Sequence, residues 1–222
     1  MTITPDTFYT SAHRQMQRAH GRQALADAVF ASIVTDQIDE PNKAFIESRD
    51  FFFLSTVAAN GMPTVSHKGG ARGVVRVLDS NTLIFPNYDG NGMFRSMGNA
   101  METGKVGMLF IDLETPNRVR VEGHATVETD SPDLSLYPGA NMIVRVRTES
   151  CFLNCARYIH KHERRMTSPY LPNEDGEQPH PSWKRIDTVQ NTLTDEERRA
   201  TEEAGGPISP DDYVEKLLKG ES

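Results

Sequence analysis

The dipeptide Asn60-Gly61 stands between two β-prone runs, FFFLSTVA (51–58) and PTVSHK (63–68), and dictates a reversal of the chain there. A two-residue type I′ turn needs positive φ at both central positions, which Asn and Gly tolerate best. The same arrangement recurs. GVVRVL (73–78) and TLIFP (82–86) flank Asp79-Ser80-Asn81, and KVGMLFID (105–112) and NRVRVEGHATVE (117–128) flank a loop containing Pro116. MIVRVRTES (142–150) supplies a further strand. Between Pro86 and Lys105 the chain is Gly-rich at first and helix-compatible from about Met93 to Glu102. Successive hairpins with one inserted helix predict a closed or partly closed antiparallel barrel rather than a sandwich or a βαβ sheet.

The flanks have a different period. Phe8, Ala12, Met16 and Ala19, then Leu25, Val29, Phe30 and Ile33, recur at three-to-four spacing, which predicts one amphipathic helical cover or two short helices split at Gly21. A further helix is expected over Asn42–Ser48, with Pro41 near its start. After the strands, NCARYIHKHER (154–164) reads as helix, followed by a polar, Pro-rich connection from Ser168 to Ser182. Thr194 with Glu197 and Ser209 with Asp212 have capping-box spacing, so the acidic tail is expected to be helical. The division is a helical cover over 1–49, a strand-built core over 50–150, and a helical extension over 151–222 packed on the core or on a partner.

Composition removes several classes. At 222 residues the chain can bury one sizeable core, and its net charge of -7 argues against general affinity for nucleic acid or anionic membrane. An anionic ligand must therefore be held by a local set of donors. No apolar stretch approaches the ~20 residues needed to cross a bilayer. Two cysteines and an N-terminus without a signal-peptide pattern imply a cytoplasmic setting.

Three segments carry residues suited to binding. In Ser66-His67-Lys68-Gly69-Gly70-Ala71-Arg72-Gly73, cationizable groups flank glycines whose amides can approach a phosphate or a ring edge, although a flexible turn explains the same residues. Arg76 interrupts an apolar run and either points into a groove towards an anion or faces solvent while Val75 and Val77 point inward. Phe85-Pro86-Asn87-Tyr88-Asp89-Gly90-Asn91 leads into the helix holding Ser96 and Asn99, where free amides and a positive dipole end suit an anion or simply start a capped helix. Cys151 and Cys155 have no second pair at zinc-like spacing, so no metal is expected. His13, His20 and His124 form no triad pattern.

Read in order, these segments resemble the pyridoxamine-phosphate-oxidase-like family of FMN-binding split barrels. TLIFPNYDGNGMFRSMGNAMETGKVGMLFIDLETPNRVRVEGHATV is similar to its strand, phosphate loop, helix, strand and R-x-R-V-x-G strand, and FLSTVAANGMPTVSHKGGARGVVRVLD to a subgroup with a His-basic-Gly-Gly motif. The match runs from about Phe51 to Val127. The resemblance implies a mainly β protein with flanking helices, built on a six-stranded antiparallel split β-barrel, and a homodimer with FMN at the subunit interface. Carried over by position, it implies cofactor contacts at Arg76 and Val77, Pro86 and Asn87, Asn91 and Met93, Ser96 and Asn99, and Arg118, with Ser66, His67 and Lys68 near the ring or phosphate.

The departures limit what is carried over. Where the vitamin oxidases have an Arg and a Lys five residues apart, Ala71 stands in the first place, with Arg72 its only near substitute, and their Ser-Arg-Lys phosphate loop is here Asn91-Gly92-Met93. The resemblance thus implies FMN and an oxidoreductase acting on a small organic substrate by hydride transfer, and not vitamin B6 oxidation. A non-catalytic flavin- or haem-binding protein and a deazaflavin-dependent reductase are the alternatives on the same scaffold. No residue is identified as a catalytic acid or base.

Overall fold

The structure, a computed structural model, describes residues 3–220 and divides into two compact units, Met1–Met166 and Thr167–Ser222. In the first unit, helices α1 (Pro5–Phe8), α2 (Ser11–Ala19) and α3 (Gln23–Ile33) precede a two-residue strand β1 (Val34–Thr35) and helix α4 (Glu40–Glu47). Strands β2 (Phe51–Val57), β3 (Pro63–Gly69), β4 (Arg76–Asp79) and β5 (Thr82–Asn87) follow, then helix α5 (Arg95–Thr103) and strands β6 (Lys105–Asp112), β7 (Asn117–Glu128) and β8 (Met142–Asn154). The helical cover breaks at Gly21, whose φ is +60°.

All the strands join one mainly antiparallel sheet in the order β3-β2-β6-β7-β8-β5-β4, with β1 pairing β8. Among the described residues it has eight strands rather than the expected six, and it does not close, because β3 and β4 remain its two ends. The expected run 73–78 is strand only from Arg76; residues 73–75 form the turn that enters it, although Val74 and Val75 are buried.

Strict alternation fills the core. In β2 every second residue is buried, so Phe52, Leu54 and Thr56 point inward. Phe52 meets the rings of Phe85 at 5.0 Å and Phe110 at 5.4 Å, joining β2, β5 and β6. Met97 and Ala100 of α5 close this core from one side. On the other face of β8, Phe152 is covered by Phe8, at 5.7 Å between ring centroids, which in turn packs on Phe30.

The β2–β3 hairpin forms, but not with a type I′ turn. Gly61 has φ +82° while Asn60 stays in the ordinary negative region, and the amides of Gly61 and Ala58 donate to Ala58 O and Met62 O. The loop is therefore one residue longer, a three-residue connection closed by a left-handed Gly. The Asn60 side chain caps it by accepting from Met62 N–H at 3.0 Å.

The helix expected over 154–164 is absent. β8 continues to Asn154, and the chain then runs without regular structure along the β6–β7 turn. His162 N–H donates to Leu113 O at 2.9 Å, and Arg164 pairs with Asp50. The His162 N–H and the Arg164 N–H, which donates to Glu114 Oε1 at 3.2 Å, are both taken away from a helical ladder, and Tyr158 sits at φ +69°.

The second unit holds 3-10 turns Ser182–Arg185 and Asp187–Thr192, then helices α6 (Asp195–Glu203) and α7 (Pro210–Lys219). Both helices begin with the capping boxes read from Thr194/Glu197 and Ser209/Asp212. A parallel bridge between Ile186 and Ile208 and a bond from Arg185 Nε to Gly206 O fasten the loop after α6 to the first turns.

Candidate functional site

A cleft of about 590 Å³ lies in the first unit, walled by β3, the end of β5, the 88–94 loop and the first turn of α5. That volume suits a small organic ligand or cofactor. The open sheet creates it: β3 is an end strand with no hydrogen-bonded neighbour on this side.

The two long walls are linked by side chains. Along β3, Thr64, Ser66 and Lys68 lie opposite Thr56, Leu54 and Phe52 of β2, all three buried, so these residues share the inward face. Asn99 Nδ2 donates to Thr56 Oγ1 at 3.1 Å and Thr64 Oγ1 at 3.3 Å. One helical turn earlier, the Ser96 and Ser66 hydroxyls are 3.1 Å apart. Helix α5 thus runs along β3 with its N-terminus directed toward Lys68.

That N-terminus carries no side-chain cap. Phe94, at the cap position, is left-handed (φ 48°) and offers no side-chain acceptor, and Gly92 before it also has positive φ. Met93 N–H is taken by Asn91 Oδ1 at 3.1 Å, which folds the loop back on itself. The first amides of α5 therefore lie beside the cleft as a positive dipole end. Burial lowers the pKa of the Lys68 ammonium and raises that of the Tyr88 hydroxyl on the opposite wall. Asn87, buried, is fixed by donating to Asn141 Oδ1 at 2.9 Å and Tyr88 O at 3.2 Å.

Of the residues read from the sequence, Ser66, His67, Lys68, Pro86, Asn87, Asn91, Met93 and Ser96 border this cleft, and Asn99 braces its end. His67 reaches only the rim. Its ring stacks on Phe51 at 5.4 Å and meets Phe53 at 6.0 Å on the opposite sheet face, because successive strand residues point to opposite sides.

Three residues lie outside the cleft of their own chain. Arg76 is exposed on β4, donating to Leu136 O at 3.3 Å and lying over the Tyr137 ring. Val77 is a core residue whose N–H donates to Glu47 Oε1 at 2.9 Å. Arg118 is on β7 opposite Asn154, and its Nε is buried without a hydrogen-bond partner among the described residues.

Arg95, Phe94 and Thr64 also line the cleft and were not singled out by sequence. Arg95 was legible as a cation at a Gly-rich loop-to-helix junction. Among the described residues no group of three or more His, Cys, Asp or Glu could hold a metal ion, and no helix is long and apolar enough to cross a membrane.

A family model described as pyridoxamine 5'-phosphate oxidase matches residues 38–150, just over half of the chain. No curated protein sequence matches. Among solved structures the chain is similar to HupZ from Group A Streptococcus, with 20% identity over 57% of this chain and 99% of that chain and a TM-score of 0.43. It is also similar to an FMN-binding protein from Syntrophomonas wolfei, with 13% identity, coverage of 63% and 97%, and a TM-score of 0.41. The heme storage protein HutZ from Vibrio cholerae matches with 20% identity, coverage of 53% and 94%, and a TM-score of 0.38.

Proposed function

Because the chain belongs to the pyridoxamine 5'-phosphate oxidase family, we propose that its cleft holds FMN and that the protein is an FMN-dependent oxidoreductase acting on a small organic substrate. The observation that carries the reading is the uncapped first turn of α5 opening onto a cleft of about 590 Å³ next to a Gly-rich loop. Such a junction donates several backbone N–H groups to one anion, and a phosphate monoester is the part of FMN that requires it.

In this reading the loop at Asn91, Gly92 and Met93, with Ser96 and the α5 amides, receives the phosphate. Pro86 and the anchored Asn87 border the ring from β5, and the fixed Asn87 amide offers it an oriented dipole. The bound flavin supplies hydride chemistry, and the protein supplies position, polarity and shielding from water. The proposal does not extend to pyridoxamine phosphate, since positions 71, 92 and 93 are Ala, Gly and Met.

We assign the flavin to a boundary between two copies of the chain. Phe53, Leu109 and Ile111 share the outer face of the sheet and are only half-buried, which suits a second copy packed there. Arg118, outside its own cleft, would reach the ligand from that copy.

The test is the visible spectrum of the purified protein, identification of the released chromophore, and titration of apoprotein with FMN. Flavin absorption with FMN released, and reduction of the bound flavin by a nicotinamide or another organic donor, are expected. A colourless protein that fails to take up FMN overturns the cofactor. A haem Soret band transfers the cleft to a different ligand, and a flavin that no organic donor reduces overturns the oxidoreductase.

A further inference from the structure

Resting on the FMN reading, we infer that Lys68 is the counter-charge of the cofactor's phosphate and the residue by which the cleft distinguishes FMN from riboflavin.

The geometry comes from the way α5 is laced to β3. Asn99 bonds to Thr64, and Ser96, one turn toward the helix start, meets Ser66. The strand advances roughly 6.6 Å between such positions and the helix roughly 4.5 Å. The next inward residue of β3 is Lys68, and the next helix level is about residue 93, which lies before the first residue of α5. Lys68 therefore stands off the N-terminal end of the helix, facing the same part of the cleft as Gly92, Met93 and Phe94.

Lys68 also lacks an internal reason to be there. It is half-buried, on the inward face opposite Phe52, and among the described residues its ammonium has no ion-pair or hydrogen-bond partner. Partial burial of a cation without a counter-ion is unfavourable, and burial lowers its pKa. An anion at the end of α5 would restore the balance, accepting from the ammonium and the helix amides together. Arg95 on the first turn strengthens the field, but Lys68 alone approaches from the strand wall.

Riboflavin, which is FMN without the phosphate, separates this role from contact with the ring. Apoprotein is titrated with each flavin, following quenching of isoalloxazine fluorescence, for the wild type, Lys68→Gln and Lys68→Arg. The wild type should prefer FMN, and Lys68→Gln should weaken FMN binding about tenfold or more while changing riboflavin by less than about threefold. Lys68→Arg should recover most of the preference, and added salt should weaken FMN binding more where a cation remains at position 68 than in Lys68→Gln. An unchanged melting temperature and far-ultraviolet dichroism for Lys68→Gln exclude a folding defect.

Equal weakening of both flavins would overturn the inference in favour of a ring or structural role, and an unchanged preference would overturn it outright. Failure of the wild type to bind either flavin is a different result: it removes the FMN reading, and the inference with it.

Discussion

Ser66 Oγ and Ser96 Oγ are 3.1 Å apart, joining an end strand of the sheet to the first turn of the helix that closes the cleft. Both hydroxyls are part-buried, so each variant removes a bond worth about 0.5–1.5 kcal/mol. Ser66→Ala and Ser96→Ala should each destabilise the protein by that amount, and the double variant by less than the sum, since either change breaks the same contact. Because the pair sets the start of α5, FMN affinity should fall about threefold to tenfold in each, a loss of about 1 kcal/mol. Denaturant unfolding and flavin titration measure the two effects. Fully additive losses would mean that the two hydroxyls do not interact.

The close approach of Gly123 to β8 gives a second test. At the bulge between Glu122 and Gly123, a Cβ on Gly123 would lie 2.2 Å from Arg147 O, a backbone atom that cannot rotate away. Gly123→Ala must push the two longest strands apart and should cost about 1–3 kcal/mol. Gly90→Ala has open space around it and an ordinary φ, so it should change stability by less than about 0.5 kcal/mol. Equal melting temperatures for the two variants would contradict the bulge geometry.

The strands were legible because their physics is local. Phe51 to Val57 is a continuous run of β-prone residues, whose burial in the fold alternates with the pleat, and each hairpin carries its own turn residues. The capping boxes at Thr194 and Ser209 were legible for the same reason. What was lost depends on distant groups. Residues 154–164 have enough helix-forming side chains to suggest a helix, but Leu113 and Asp50, far away in sequence, hold the segment in an irregular path. The Asn60-Gly61 signal located the reversal but not its length, since a type I turn plus one left-handed Gly uses the same residues. For the site, adjacency misled where alternation would have helped: His67 and Lys68 are neighbours in the chain, yet only Lys68 faces inward. Arg76 was open between groove and solvent; within one chain it is exposed and bonds to Leu136 O.

The two cysteines should react very differently. Cys151 is fully buried and its thiol is pushed up to about 12 by that burial. Cys155 is exposed, and the Arg157 amide, which donates to its sulfur, holds its pKa below the usual value. Thiolate is the reactive form, so iodoacetamide should label Cys155 in the native protein and Cys151 only on unfolding. Peptide mass spectrometry after timed labelling checks this, and equal native labelling would place Cys151 at the surface.

Acid should weaken the 167–222 unit through Glu197. Its carboxylate is held from 4.5 down to about 2, first by the hydrogen bond from Lys184 Nζ at 2.8 Å and then by Thr194 N–H. A lowered folded-state value means that the folded form binds fewer protons than the unfolded form. The stabilisation is therefore complete above 4.5 and is lost as the pH falls toward 2. Glu197 remains partly exposed to solvent, which screens the pair and keeps the effect below that of a buried bridge. Trp183, the single tryptophan, lies in this unit and reports its unfolding by fluorescence. Glu197→Gln should lower stability at neutral pH and flatten the acid dependence, leaving the smaller slope from Asp212, whose pKa is also lowered, by Ser209. If the variant and the wild type lose stability in parallel below pH 4.5, Glu197 is not the group that responds to acid.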